Sequence, residues 1–349
     1  MTQGLSIEKP LNLGMIDAIL LRGPNDHSFT KVPFSWNKNR EAVIRVKCSG
    51  ICGTDLKIFK GLMGDAPFPF VPGHEWSGLV EQAPAGYEHL IGKLVVLDNL
   101  QCCKLCVYCQ SGYPNLCNSL VEPGISTNGA FATHVKAFPE HLHVVPDHLS
   151  AEEACMLEPL AVAVYALRRL PVHYEDRVLI IGGGTIGLLI GQLARLSGAK
   201  EIILLDHHHY RLEIGQSLFA DRTCNPLKVD LDKAIGSELP NKVFEVTGSS
   251  EGFQNSVKYA KPGGSIAVVG YAGPKQTSIS TADIMCKLLT LIGVLSPTNS
   301  LGEAIDIAVN RRIDLSVYLD HTYPLKDFDK AFKIAEKRLN GCLKAMLIP

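Results

Sequence analysis

Residues Arg177 to Gly187 read Arg-Val-Leu-Ile-Ile-Gly-Gly-Gly-Thr-Ile-Gly, an apolar run entering G-x-G-x-x-G, and the apolar, helix-like stretch Leu188 to Leu196 follows. That order commits this part of the chain to a strand, a tight turn and a helix. The glycines permit the turn and let backbone approach a pyrophosphate, while the helix N-terminus offers free N–H groups and the positive end of its dipole. Gly182, Gly184, Thr185, Ile186 and Gly187 are therefore the candidate phosphate-cradling residues. A second strand, Glu201 to Leu205, ends in Asp206, nineteen residues after Gly187 and suited to hydrogen-bond both ribose hydroxyls of an adenosine. A carboxylate there would repel a 2′-phosphate, so NAD is the expected dinucleotide. His207, His208 and His209 follow at once. Adjacent residues on a helix point in different directions, so the tract reads as the exposed start of the next helix, with Arg211 toward the adenine side. Further strands are expected at Lys242 to Val246, Ser265 to Val269 and Leu288 to Val294 with helices between, the alternation of a doubly wound parallel sheet.

The cysteines carry a second signal. Five of the eleven fall within sixteen residues, and from Cys103 the spacing through Cys106, Cys109 and Cys117 is C-x2-C-x2-C-x7-C. Four thiolates at that spacing can converge on one tetrahedral ion, so these four are the expected structural zinc ligands and Cys102 is left out. Cys52 stands apart, in Gly-Ile-Cys-Gly-Thr-Asp, directly after the alternating segment Ala42 to Cys48 that reads as a half-buried strand. His74 and Glu75 follow in Pro72-Gly73-His74-Glu75, and Glu158 stands before Pro159. Singly, these are a buried thiol, a satisfied histidine and a helix-face glutamate. Jointly, Cys52, His74 and Glu158 supply one soft and two harder ligands for a catalytic zinc with an open position, provided the fold brings them together.

A length of 349 residues predicts two domains, or one interrupted by another, at about 150 residues each. Thirty-four basic against thirty-five acidic residues leave a net charge of −1, with no block of like charge. The footprint of a nucleic-acid or anionic-membrane binder is missing, and a small-molecule partner is expected. The longest uncharged stretch, Val178 to Ala194, carries four glycines near its start and makes a poor membrane span. The N-terminal residues Met1 to Gly14 lack the basic start and apolar core of an export signal, so the expected compartment is the cytoplasm. Up to about residue 150 the chain is rich in short alternating segments (Ile16 to Leu21, Ala42 to Cys48, Trp76 to Glu81, Lys93 to Asp98, Ala130 to Lys136), an antiparallel β unit. After the strand-helix alternation come the helix-like Leu301 to Asn310 and Lys326 to Arg338 and a final strand, Cys342 to Ile348, which suggests that the tail returns to complete the first domain.

In this order, GICGTD, PGHE, the four-cysteine lobe, EPLAVA and GGGTIG with Asp206, the chain resembles the zinc-dependent medium-chain alcohol and polyol dehydrogenases over nearly its whole length. The resemblance implies an α/β protein in which a GroES-like catalytic domain, residues 1–160 completed by 298–349, is interrupted by a Rossmann NAD-binding domain, residues 161–297, with the active site between them. It implies Cys52, His74 and Glu158 at the catalytic zinc, with Glu75 as a carboxylate that ligates directly or swings in, so that two glutamates compete for one place. It implies a dimer or tetramer. A glutamate in the third ligand position, with VPGHEWSG and EPLAVA, is similar to the polyol, sugar and cyclitol branch, including the sorbitol, threonine and aminocyclitol dehydrogenases. Where many relatives carry a relay histidine this chain has Lys57, which could be a relay, a partner of the cofactor pyrophosphate or a solvated lysine.

The implied chemistry is interconversion of a secondary alcohol and a ketone, with hydride transfer to the nicotinamide. Thr54 is placed to accept the hydroxyl proton and pass it along the nicotinamide ribose, and Asp55 to orient neighbouring loops or a ligating histidine. Trp76, Phe68 and Asn128 are candidate substrate contacts by proximity. The rival readings are a biosynthetic ketone reductase, a threonine-type amino-alcohol dehydrogenase and, from another class, a zinc-ribbon nucleic-acid-binding module, against which the neutral charge and the dinucleotide segment count.

Overall fold

The segment read as a half-buried strand at Ala42 to Cys48 forms the strand Ala42–Gly50, and its nearly unbroken burial reflects a place in the middle of a sheet. In the computed structural model, which describes residues 13–349 except 272, 274 and 275, this strand pairs antiparallel with Glu75–Gln82, His134–Ala137 and Ala345–Ile348. The seven-stranded sheet around it is completed by Leu94–Leu97, Leu142–Val144 and the edge strand His321–Pro324. The C-terminal strand thus lies beside a strand from the first fifty residues. The export-signal reading of the N-terminus falls largely on residues 1–12, outside the described residues. Among the described residues no helix is long and apolar enough to cross a membrane.

The second sheet has six parallel strands in the order Arg222–Cys224, Glu201–Leu205, Arg177–Ile181, Lys242–Glu245, Ser265–Val268, Thr290–Gly293. The order reverses between Arg177–Ile181 and Lys242–Glu245, and doubly wound sheets bind their ligands at the carboxyl ends of the strands beside such a point. Val178, Leu179 and Ile180 are fully buried because helices cover both faces. One of these is Thr185–Leu196, which packs on Leu157–Arg169, and that helix in turn packs on Leu301–Val309. The expected boundary at residues 160 and 161 falls inside the helix Leu157–Arg169, whose apolar side joins the largest core.

Three differences from the sequence reading have physical causes. The strand expected over Ala130 to Lys136 is confined to His134–Ala137, because Ala130 and Phe131 donate their N–H groups to Gly73 and Pro72 and brace the turn before His74. The polar segment Asp26–Pro33 is a strand although it lacks a clear apolar face, held in a hairpin with Met15–Gly23. The short helix Gly53–Phe59 follows Cys52 directly, and it sets the geometry of the site.

Candidate active site

Cys52 is the N-cap of the helix Gly53–Phe59, its sulfur accepting from the Thr54 N–H at 3.5 Å. Asp55, at the third helical position, accepts from the Cys52 N–H through Oδ2 at 2.8 Å, closing a capping box that freezes the thiol at the strand end. The other oxygen of Asp55 lies 3.5 Å from Nδ1 of His74, and both side chains are buried. His74 follows Gly73, whose φ of +101° and contact with Phe131 leave no room for a side chain. Across the sheet, Glu75 is in register with Gly50, where a Cβ would stand 2.6 Å from the Glu75 carboxylate.

Strand pairing and cap together bring ligand atoms of Cys52, His74 and Glu75 within 4.8 Å of one another. Sulfur, imidazole nitrogen and carboxylate oxygen are the donor set of zinc. His74 Nδ1 and Asp55 Oδ1 have no conventional hydrogen-bond partner although both are buried. Burial works to lower the pKa of the imidazole, but Asp55 and Cys52 outweigh it and hold it well above the ordinary value. A site that so favours positive charge on its histidine fits a divalent cation.

Glu158 lies outside that converging group. It sits in the first turn of Leu157–Arg169, where burial pushes its carboxyl up to about 7, with His74 opposing and Glu75 adding. Glu75 is instead held below the usual carboxylate range: burial acts upward, and Lys344 and His74 outweigh it. Lys344 Nζ stands 2.5 Å from Glu75 Oε2 and 3.4 Å from the Ile51 carbonyl. Sequence reasoning missed Lys344, and no local signal marks a lysine in a C-terminal apolar segment as a partner of a residue so far away in the chain. Lys57 donates to the Tyr271 carbonyl and lies 4.7 Å above the Tyr271 ring, spanning from the helix after Cys52 to the loop that follows the strand Ser265–Val268. Burial lowers its pKa against the opposing pull of Cys52. Of the suggested substrate contacts, Trp76 is core (2% exposed), Phe68 packs beside Leu21, Ile58 and Phe70, and Asn128 accepts from the Val71 N–H at 2.9 Å. Trp76 is thus closed off in the core, whereas Phe68 is half-buried and Asn128 exposed.

Cys103, Cys106, Cys109 and Cys117 form a second group with sulfurs within 4.8 Å. Cys106 caps the helix Val107–Gln110 that carries Cys109, which sets their sulfurs 3.5 Å apart. The Cys109 N–H draws Cys106 down to about 6, favouring the thiolate that binds metal. The Cys103 N–H donates to Cys117 at 3.4 Å, and Cys102 stays outside the group.

At the dinucleotide segment, a Cβ on Gly187 would stand 1.8 Å from the Gly182 carbonyl, so strand and helix meet closely enough to exclude any larger residue. Thr185 donates its hydroxyl to the Leu343 carbonyl at 2.8 Å. Asp206 is buried and accepts from the Gly183 N–H at 2.8 Å and the His208 N–H at 2.7 Å, with Arg211 Nη1 3.5 Å away. His207 and His209 are exposed at the start of the helix His209–Leu218.

Two family models match the chain: the alcohol dehydrogenase GroES-like domain over residues 38–147 and the zinc-binding dehydrogenase domain over residues 185–310. An uncharacterized zinc-type alcohol dehydrogenase-like protein of Haemophilus influenzae is 32% identical over 86% of this chain and 89% of its own length. L-idonate 5-dehydrogenase of Vitis vinifera is 31% identical over 85% of each. An alcohol dehydrogenase of Escherichia coli CFT073, solved with NADH, superposes with a TM-score of 0.90 at 25% identity, covering 96% of this chain and 100% of that one. With its two groups of candidate metal ligands and its doubly wound parallel sheet, the chain belongs to the zinc-dependent alcohol dehydrogenase family, enzymes that interconvert CH–OH and carbonyl groups.

Proposed function

We propose that this protein interconverts a secondary alcohol of a polyol, sugar or cyclitol and the corresponding ketone, using NAD. The meeting of Cys52, His74 and Glu75, with Lys57 reaching Tyr271 in the loop after the parallel-sheet strand Ser265–Val268, carries the reading. The names of the relatives, an idonate dehydrogenase among them, support the polyol class. Cys52 and His74, with Glu75 or Glu158 as third ligand, would hold a zinc ion, which when bound would supply Lewis-acid polarisation of the substrate hydroxyl, while a bound nicotinamide would supply the hydride acceptor. Around them, Asp55 orients His74, and the Thr54 hydroxyl takes the substrate proton. Lys344 restrains Glu75, and Lys57 holds the two sides of the cleft together through Tyr271. Cys103, Cys106, Cys109 and Cys117 hold a structural zinc. Gly182, Gly184, Thr185, Ile186 and Gly187 receive the pyrophosphate, and Asp206 and Arg211 the adenosine ribose.

In this reading the catalytic unit comprises residues 1–160 and 298–349, and the nucleotide unit residues 161–297. The sheet edge at Thr290–Gly293, flanked by Leu288 (78% exposed) and Leu295 (56%), suits pairing with a second copy in a homodimer or homotetramer in the cytoplasm. The test is NADH absorbance over sorbitol, inositols, aminocyclitols, threonine, sugar phosphates and simple alcohols, with zinc measured on the same sample. Turnover of a polyol by protein holding two zinc ions per chain is expected. Metal-loaded protein inactive on every polyol and cyclitol would overturn the reading.

A further inference from the structure

Glu122 is a carboxylate that the proposed reaction leaves unused. It lies in the turn after the cysteine lobe, where its N–H donates to the Ser126 hydroxyl at 2.8 Å and its carbonyl accepts from the Ile125 and Ser126 N–H groups at 2.9 and 2.8 Å. Val121, just before it, exchanges backbone hydrogen bonds with Gln101 at 3.0 and 3.1 Å. Gly124, two residues on, packs against the turn that carries His74. Its φ is +89°, and a Cβ there would stand 2.3 Å from the Gly73 carbonyl oxygen and 2.7 Å from the His74 nitrogen. The backbone of Glu122 is therefore fixed beside the candidate metal ligands.

The side chain is half-buried and held by one oxygen only. Oε1 accepts from the Ser296 hydroxyl at 3.2 Å, in the segment that leaves the parallel sheet after Thr290–Gly293, and Oε2 has no hydrogen-bond partner among the described residues. Electrostatics places the carboxylate in the same space as His74 and Glu158. Burial raises the pKa of Glu122 while Ser296 and His74 oppose it, and Glu122 in turn joins burial and Glu75 in pushing Glu158 upward. The other charges here are already matched, with Lys344 on Glu75 and Asp55 facing His74. Among the described residues no lysine or arginine pairs with Glu122. A half-buried carboxylate with a free oxygen and an unmatched charge favours a cation brought in from outside. We propose that Glu122 is a specificity residue that recognises a protonated amine on the substrate, so that the preferred alcohol is a polyol or cyclitol with one hydroxyl replaced by an amine. The proposal rests on the dehydrogenase reading, and matched pairs of substrates separate the two.

Two pairs serve at neutral pH, an inosamine with its parent inositol and glucosaminitol with sorbitol. Initial rates are measured on the zinc-loaded enzyme, and affinities by calorimetry on its NADH complex. A charge-assisted contact is worth about tenfold or more, so wild type is expected to favour the amine of at least one pair by about that factor in kcat/KM and to bind it correspondingly tighter. Glu122→Gln keeps the size of the side chain and an acceptor for Ser296 but removes the charge. It should cut the amine-over-hydroxyl ratio by about tenfold, through KM rather than kcat. Wild type that turns over polyols or simple alcohols but prefers neither amine overturns the proposal and leaves the dehydrogenase reading standing. A Glu122→Gln ratio equal to wild type also overturns it, including the case where both members weaken together, which would assign Glu122 to the fold or to the nicotinamide cation. Protein inactive on every alcohol overturns the dehydrogenase reading, and the proposal with it.

Discussion

Lys344 Nζ lies 2.5 Å from Glu75 Oε2, in an ion pair whose two side chains are only 5% and 2% exposed. It ties the last strand, Ala345–Ile348, to the residue that follows the histidine ligand. Removing one member of a buried pair leaves an uncompensated charge, which costs about 3–5 kcal/mol. Lys344→Met should therefore lower stability by about that amount, seen as a fall in the urea midpoint, and adding Glu75→Gln should recover most of it. A single variant that unfolds at the wild-type midpoint would show that the pair contributes little.

Cys52 is both a member of the metal-ligand group and the cap of its helix. Cys52→Ser should abolish turnover and halve the zinc content, leaving the structural zinc and nearly normal NAD affinity. Retention of full activity would refute the role of the thiol at the metal.

In the proposed function the four-cysteine group holds the structural zinc and takes no part in the substrate chemistry. Cys106→Ser should likewise remove one zinc per chain, but from the lobe formed by residues 102–119, which then becomes an early site of proteolytic cleavage. Metal analysis together with limited proteolysis checks this. Two zinc ions retained by the variant would contradict the assignment.

Asp206, proposed to receive the adenosine ribose, accepts from the Gly183 and His208 N–H groups. Asp206→Ala removes charge-assisted acceptors, each worth about 1.5–3 kcal/mol. The KM for NAD should rise by about tenfold or more and the preference should shift toward NADP. An unchanged ratio of kcat/KM for the two cofactors would dismiss the carboxylate as a selector.

Gly187 admits the close crossing of helix and strand, its would-be Cβ 1.8 Å from the Gly182 carbonyl. Because the obstacle is backbone, Gly187→Ala cannot be relieved by a rotamer change. A loss of about 1–3 kcal/mol in stability is expected, with much weaker NAD binding by calorimetry. Wild-type values for both would mean that the turn has room to spare.

By itself the sequence determined whatever depends on neighbours along the chain. The turn at Gly182 to Gly187 needs small residues at fixed spacing, and the four thiolates of the lobe are gathered by short spacers, so both are written locally and both are found as read. The alternation of apolar residues likewise marked most strands, since burial on a sheet face has a period of two. Only the tertiary structure decided which distant groups meet. Glu75 rather than Glu158 stands among the converging ligand atoms, because the pairing of Ala42–Gly50 with Glu75–Gln82 sets Glu75 opposite Gly50, while Glu158 rides on a separate helix. Lys344 reaches Glu75 because the tail pairs back onto that same sheet, and pairing between segments some three hundred residues apart leaves no periodic trace in either one.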